Sequence, residues 1–510
     1  MAAAPADMAP RCRIYKKSGD TMSESLERSF DVTIVGAGIS GLSAAVAAAA
    51  AGARVAVLER ATEDEFGGTT RWTEAYFRMS SEDEVSADFE ERLAENAGDH
   101  LDPYILEQVS QPYQFWPSFV KAHGMPDPEL ISELAGRASE TVKWLKTFGI
   151  RFDTLPTYFI TAAAPRLMPV GGGLALIEAL RAHALADGVE IFYETTAKSL
   201  SRAADDHFVL SCTGPQGKVM FDSPSLVLGS GGFEGNPEML ARYIGTAARY
   251  LRPVARGGYQ NRGEGIRMAL DIGAAPAGDF SSYHAEPLDP RSMQPEALVM
   301  NFPYGILVNR DCNRFIDEAP GPVDVHYDHI SRAIGEQPGG IAWVVFDASI
   351  ADVPNWKRSI RTDQPVIQAD TLEALAEKLG LAPDRLVTTV EDYNAACSDG
   401  VFKPLEVDGL ETHGLFPKKS NWSRRIGQAP FFAYPIIAGI CFTYGGVKTN
   451  RHAEVIDCDG RPIDGLYAAG EAAGLYYQVY TGATSVMRGA VFGKTAGERA
   501  ATLARKARGL

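Results

Sequence analysis

A chain of 510 residues is too long for one ordinary hydrophobic core and calls for two or three domains. Its content of 45% hydrophobic and 22% charged residues is that of a globular protein, and a net charge of −16 argues against binding nucleic acid or an anionic membrane surface. The six cysteines, Cys12, Cys212, Cys312, Cys397, Cys441 and Cys458, form no C-x-x-C, zinc or c-type haem spacing, so no metal is expected and a reducing, cytoplasmic setting is.

Residues 1–29 lack the apolar segment of a secretory signal and read as a disordered extension, with Met22 an alternative start. DVTIV (31–35) reads as a buried strand and GAGISG (36–41) as a tight glycine turn. An alanine-rich helix follows, too weakly hydrophobic to span a membrane, and then RVAVLER (54–60), a second strand. That strand ends in Glu59, 23 residues beyond Gly36. Strand, G-x-G-x-x-G, helix, strand and terminal acid together make a dinucleotide site. The glycines let backbone approach a pyrophosphate at the helix N-terminus, and the acid accepts from a ribose hydroxyl. The candidate contacts are Gly36, Ala37, Gly38, Ile39, Ser40 and Gly41, with Glu59 and Arg60. This pattern alone does not separate NAD from FAD.

Three later segments, GGTTRW (67–72), LVLGSGGFEGN (226–236) and DGLYAAGEAAG (464–474), resemble the FAD-binding segments of the fumarate reductase / 3-ketosteroid 1-dehydrogenase flavoprotein superfamily. The resemblance runs from about residue 30 to 500 and implies FAD. It implies an α/β fold, a Rossmann-like FAD-binding domain in two segments (30–279 and 441–510) around an inserted α+β capping, substrate-binding domain (280–440). It places Gly67, Gly68, Thr69 and Thr70 beside the flavin and Gly470 and Glu471 on the ribityl or pyrophosphate side. Further cofactor contacts implied are Ala197, Thr484, Ser485 and Val486.

In the capping segment, DFSSYHAEP (279–287) brings His284 to the family's substrate-facing histidine, and GICFTYGGVKTN (439–450) closes the insertion. Residues 371–397 read as two amphipathic helices whose apolar faces pack rather than react. GILVNRDCNRFIDE (305–318), EQPGGIAW (336–343) and FTYGGVK (442–448) resemble tricarballylate dehydrogenases. Against the fumarate reductases there are departures. Pro322 stands where the acid-donor arginine belongs, and Asn301 where the proton path has its arginine. Cys441 or Phe442 replaces a histidine, and Tyr480 replaces the carboxylate-clamping arginine. Fumarate reduction is therefore not expected.

Near the end, YYQVYTGATSVMRG (476–489) resembles the ketosteroid dehydrogenase segment in which a tyrosine hydroxyl and a glycine N–H hold a ketone oxygen, here Tyr480 and Gly482. Two neutral donors suit the enolate-like charge that builds up when a proton leaves beside a carbonyl. Tyr476 and Tyr477 read equally well as packing at a domain junction. For the general base, VDVHYDH (323–329) offers Tyr327, with Asp324, His326 and His329 nearby, though the stretch reads equally as a solvated loop; Tyr444 is a further phenol.

The expected activity is an FAD-dependent dehydrogenase that converts CH–CH to C=C next to a carbonyl in a small cyclic ketone or oxo-carboxylic acid. A side chain takes the proton and flavin N5 the hydride. The alternatives are a tricarballylate-type polycarboxylate dehydrogenase, an enone or enoate reductase, and a non-catalytic FAD-binding redox subunit. The expected partners are a small carbonyl or carboxylate substrate and an external electron acceptor (a quinone, a carrier protein or oxygen), with no nucleic acid and no membrane span.

Overall fold

Short runs of valine, isoleucine and leucine flanked by turns bury both faces of a parallel sheet, and three such runs form the centre of this molecule. The computed structural model describes residues 26–95, 102–122, 125–154, 157–162, 166–204 and 206–507. Its cofactor-side sheet has the order Glu454–Ile456, Pro462–Ala468, Ser225–Leu228, Val32–Val35, Val55–Leu58, Glu190–Phe192. Every neighbouring pair is parallel except the first. The strands Val32–Val35, Val55–Leu58 and Ser225–Leu228 are buried at every position.

Two helices cover one side of this sheet at unusually short range. Ile39–Ala50 starts at the glycine turn, and Ser485–Ala507 lies against it. Gly489, Gly493 and Gly497 are four apart and so share one face of the second helix. A Cβ on Gly493 would sit 2.4 Å from the Ser40 carbonyl oxygen, and one on Gly497 2.2 Å from that of Ala44. Backbone meets backbone here because no side chain intervenes.

The substrate-side sheet is built around one long strand, Phe431–Thr443. Arg252–Pro253 pairs with it in parallel, while Tyr283–Leu288, Ile341–Asp347 and Ile367–Ala369 pair with it antiparallel; Ile306–Val308 extends the sheet beyond Ile341–Asp347. The helix Val323–Gly335 packs on this sheet. The expected pair of amphipathic helices is present as Leu372–Leu379 and Pro383–Ala396. Thr371 caps the first, its hydroxyl accepting from Ala374 N at 3.2 Å, and Gly380 ends it at φ +69°.

Three expectations are corrected. Leu26–Ser29 is a strand paired in parallel with Gly217–Ser223, so the extension does not reach residue 29; Met22 and Cys12 lie outside the described residues. The boundary at 440/441 falls inside the unbroken strand Phe431–Thr443, and Arg252–Pro253 joins the substrate-side sheet from within the presumed first cofactor segment. VDVHYDH is not a loop. It opens a helix after Pro322 and buries Tyr327 and Asp328 on one face. Among the described residues no helix is long and apolar enough to cross a membrane.

The helix contact gives a stability test. Gly493→Val inserts a branched side chain against the Ser40 carbonyl and should cost at least the roughly 1–3 kcal/mol of an overpacked core. Gly136→Ala, in the helix Pro128–Lys146 with nothing within 4 Å of the added Cβ, should stabilise by about 0.5–1 kcal/mol. Thermal unfolding of both variants checks the pair.

Candidate active site

One cleft, about 1600 Å³ of empty space counting its open mouth, runs from the glycine turn to an aromatic chamber beside the long strand. At the first end Gly36, Ala37, Gly38, Ile39 and Ser40 form the wall. The fingerprint glycines do different work. Gly36 has φ +101°, and a Cβ there would lie 2.3 Å from the Gly229 carbonyl oxygen. Gly41 stands behind the wall, its Cβ position 1.9 Å from the Gly36 carbonyl oxygen. At Gly38 the nearest atoms to an added Cβ are 3.7 Å away or more, so that position faces the open cleft.

Glu59 is buried, and its two carboxylate oxygens accept from Ala37 N and Ala61 N, each at 2.8 Å. Burial pushes its pKa up while those N–H groups pull the other way. Arg60 donates to the Gln260 carbonyl at 2.9 Å and pairs with Glu264 at 2.5 Å. Gly68, Thr69 and Thr70 line the facing wall, and Thr70 Oγ1 accepts from Ile39 N at 3.3 Å. Gly67 is a turn residue off the wall, its Cβ position 2.0 Å from Ile177 Cδ1.

Ala197, Gly470, Glu471, Ser485 and Val486 also face the cleft, whereas Thr484 does not; its hydroxyl donates to the Thr481 carbonyl at 2.5 Å. Glu471 accepts from Gly232 N (3.2 Å), Asn261 Nδ2 (3.3 Å) and Thr69 Oγ1 (3.4 Å). Asn261 Nδ2 also donates to Glu234 at 2.7 Å. Burial raises the pKa of both carboxyls, and repulsion from Glu471 raises Glu234 further. Ser230 Oγ, on the same wall, is buried without a hydrogen-bond partner. A glycine-lined wall at a helix N-terminus with an orphaned hydroxyl fits an elongated phosphate-bearing cofactor.

At the chamber end the strand pairing is irregular. His284 faces Phe442 and Ala285 faces Ile440, which leaves Cys441 as the extra residue of a β-bulge. Cys441 and Phe442 consequently both reach the cleft. On the partner strand His284 and Glu286, two residues apart, both face it too. His284 Nε2 lies 2.8 Å from the Tyr327 hydroxyl, and Nδ1 is buried without a hydrogen-bond partner. Burial, then Arg332 and Arg166, push His284 down to about 3, so the ring is neutral at ordinary pH. In the Nε2–H tautomer it donates to the Tyr327 oxygen and leaves the phenol proton free. Burial pushes the Tyr327 hydroxyl well above its ordinary range, so it too is neutral.

Glu286 accepts from the Tyr158 hydroxyl at 3.2 Å. Burial pushes Glu286 up to about 7, against the hydrogen bond from Tyr158 and the charge of Arg361. Burial, then repulsion from Glu286, push Glu296 up to about 8. Arg361 lies 3.4 Å from Glu296 and pairs closely with Glu74, which also accepts from the Tyr76 hydroxyl. Arg166 pairs with Asp324 at 3.1 Å and stacks 4.8 Å from the centre of the Phe159 ring. His284, Glu286 and Cys441 offer ligand atoms within 4.8 Å of one another and are the one group among the described residues that could hold a metal ion.

Several expected roles move. Tyr480 lines the chamber with its ring, 4.4 Å from His284, but its hydroxyl accepts from Thr484 N (3.1 Å) and Ser485 N (3.2 Å) and donates to Ser485 Oγ (3.1 Å). It caps the C-terminal helix instead of standing free for a ketone. Gly482 is off the wall, and its carbonyl accepts from Arg78 at 3.4 Å. Tyr444 is fully buried behind Phe442, its hydroxyl 3.5 Å from Asp328. Asp324 is held by Arg166, and His326 and His329 do not reach the cleft. Tyr476 does pack, its hydroxyl 2.7 Å from Thr484 Oγ1, and Tyr477 lies off the chamber, its hydroxyl accepting from Gly278 N at 2.9 Å. The chamber residues the sequence did not single out are Glu74, Tyr76, Tyr158, Arg166, Glu286 and Glu296. Only Glu286 carried a signal, its strand alternation with His284.

The profile of the family described as FAD binding domain matches residues 31–486. A probable fumarate reductase, Ifc3, of Shewanella frigidimarina is 28% identical over 480 residues, covering 92% of this chain and 74% of its own length. The 4-oxocyclohexanecarboxylate 2-dehydrogenase of Sinomonas cyclohexanicum is 27% identical over 531 residues, covering 90% of each chain. Among solved structures, the open conformation of a flavocytochrome c3 fumarate reductase aligns with a TM-score of 0.69 at 26% identity, over 93% of this chain and 78% of that one.

Because Gly38 alone of the fingerprint glycines faces open space, Gly38→Val should leave a folded protein that has lost its FAD. Gly36→Val should instead lose the fold through its clash with Gly229. Circular dichroism together with the visible flavin spectrum separates the two outcomes.

Proposed function

The chain belongs to the FAD-binding domain family and is an FAD-dependent oxidoreductase of CH–CH groups, and from that premise we propose that it desaturates the bond beside the carbonyl of a small cyclic ketone. The charge balance of the chamber carries this reading. Among the described residues the cleft wall holds two guanidiniums, Arg60 at the dinucleotide end and Arg166 at the aromatic end, each already paired with a carboxylate. Arg361, just behind the wall, is shared by Glu74 and Glu296. A polycarboxylate would enter a chamber that holds three glutamates and offers no uncommitted cation, whereas a neutral ketone meets phenols and aromatic faces. The similarity to a 4-oxocyclohexanecarboxylate 2-dehydrogenase supports a cyclic ketone as the reacting part of the substrate.

The residues from Gly36 to Ser40 and Gly68 to Thr70, with Glu471, Ser485 and Val486, line the glycine-rich wall and would hold FAD, which would supply a two-electron acceptor for the hydride. Glu286 takes the proton from the carbon beside the carbonyl onto a carboxylate oxygen. Its place near neutrality makes it a competent base there. Tyr327, receiving a hydrogen bond from His284, keeps its proton and donates a hydrogen bond from its phenol to the carbonyl oxygen as enolate charge develops. Tyr158 orients Glu286 through its hydroxyl, and the rings of Phe442 and Tyr480 wall off water.

Anaerobic addition of cyclohexanone should bleach the flavin absorbance, and succinate and tricarballylate should not. Bleaching by the polycarboxylates alone would overturn the reading. Tyr327→Phe should lower kcat by roughly 10²–10³-fold with little change in KM. Tyr480→Phe, which removes a helix cap, should show first as a lower Tm, corresponding to about 1 kcal/mol. A base must be deprotonated, so kcat/KM should rise with pH as the raised carboxyls titrate, from about 7 to about 8, and Glu286→Gln should abolish that limb with the activity.

A further inference from the structure

We propose that the chamber is also a metal-operated switch: the His284 imidazole, the Glu286 carboxylate and the Cys441 thiolate bind Zn²⁺ when substrate is absent, and the bound ion blocks turnover. The metal site needs nothing from the assigned chemistry; the block rests on the reading of Glu286 as the base.

One ligand atom from each of the three side chains lies within 4.8 Å of the other two. A tetrahedral zinc ion with bonds of about 2.0–2.3 Å needs them roughly 3.3–3.8 Å apart, so the site closes with a shift of about 1 Å. Glu286 and Cys441 make that shift by rotating about their side-chain bonds, while the bond to Tyr327 holds the His284 ring. The backbone already aims the three groups at one space. His284 and Glu286 alternate onto one face of Tyr283–Leu288, and the bulge on the opposite strand turns Cys441 the same way. All three line the open cleft, which gives an ion a way in and leaves room for water as a fourth ligand.

Two features separate this cluster from polar groups that merely adjoin. The first is His284 Nδ1, buried without a hydrogen-bond partner in a residue only 5% exposed. With Nε2–H donating to the Tyr327 oxygen at 2.8 Å, Nδ1 carries a lone pair, the form in which imidazole binds a metal. The second is an outer layer of support. Tyr327 orients the imidazole, and Tyr158 donates to Glu286 Oε1 at 3.2 Å, which leaves Oε2 for the ion. Metal ligands are characteristically held by such partners. The donor set then selects the ion. Nitrogen, oxygen and sulfur together suit Zn²⁺ and its substitute Co²⁺, whereas Mg²⁺ and Ca²⁺ take oxygen ligands. One carboxylate and one thiolate cancel the charge of a divalent ion, so the filled site is neutral. The thiol proton leaves to water as the sulfur–zinc bond forms, and no electrons are transferred.

The test uses the FAD-loaded protein, stripped of metal with a chelator that is then removed. Without substrate, Co²⁺ should give the ligand-field bands of a tetrahedral site at wavelengths beyond the flavin absorbance. A thiolate-to-cobalt charge-transfer band should accompany them in the near ultraviolet, and Zn²⁺ should displace both. Cys441→Ser should abolish the charge-transfer band, whereas Glu286→Gln should keep it and shift the ligand-field bands. Tyr158→Phe, which leaves all three ligands in place, should weaken Zn²⁺ binding by roughly 10–100-fold, and loss of either ligand by more. Zn²⁺ should also stop the anaerobic bleaching of the wild-type flavin by cyclohexanone, a chelator should restore it, and Mg²⁺ and Ca²⁺ should have no effect. Absence of the cobalt bands in the wild type, or a charge-transfer band that survives Cys441→Ser, overturns the site. So does wild-type Zn²⁺ affinity in Glu286→Gln. Undiminished bleaching by cyclohexanone in the Zn²⁺-saturated protein overturns the switch. If no ketone bleaches the metal-free protein, the desaturase reading fails, while the cobalt spectra still decide the site.

Discussion

The strand Phe431–Thr443 is paired along its length with the substrate-side sheet and at its end docks on the cofactor side, where Thr443 Oγ1 accepts from Phe233 N at 3.1 Å. The fit at that junction is close enough that a Cβ on Gly232 would lie 2.3 Å from the same oxygen. Just before the dock the strand bulges at Cys441. In a regular strand Cys441 and Phe442 would point to opposite faces; the bulge turns both toward the cleft. That places the aromatic wall opposite His284 and the thiol beside Glu286. The position of the chamber relative to the dinucleotide wall thus follows from the register of one strand.

Burial then decides what the chamber groups can do. Removed from water, His284 gives up its charge and Tyr327 keeps its proton, so two groups that could ionise act as neutral hydrogen-bond partners. The same burial moves Glu286 and Glu296 the other way, into the range where a carboxyl both takes and returns a proton at ordinary pH. The nearby guanidinium of Arg361, shared by Glu74 and Glu296, pulls Glu286 and Glu296 down but less than burial pushes them up. A site of this kind is costly to build, since buried carboxyls contribute no stability in their charged form.

Much of the cofactor side was legible in the sequence because its signals are local. The glycine turn, the valine-rich strands and the acid at Glu59 lie within one short stretch, and alternation and helical periodicity need only a window of neighbours. The two helices at 372–396 were readable for the same reason. The chamber was only partly legible. His284 and Tyr327 were named singly, but their contact spans 43 residues of sequence and no spacing rule encodes it. Glu74, Arg166 and Glu296 belong to segments with no motif, and only the tertiary fold brings them to one wall. Tyr480 shows the opposite error: its place in a family pattern was visible, while the local competition of two backbone N–H groups for its hydroxyl was not. Charge content likewise disguised a helix at 323–335, whose acidic and basic residues find partners in the interior.

The glycine face of the C-terminal helix bears on when the cofactor can be taken up during synthesis. The helix Ile39–Ala50, whose first turn forms one wall of the cleft, is made before the long strand Phe431–Thr443, but the surface that clamps it, Gly489, Gly493 and Gly497, is made after that strand. Pro462–Ala468, which completes one side of the parallel sheet, is also late. The nascent chain therefore carries the dinucleotide fingerprint through the making of the long strand and its sheet without the helix that clamps it. Until that clamp is made, the alanine-rich helix lacks one of the surfaces that bury it.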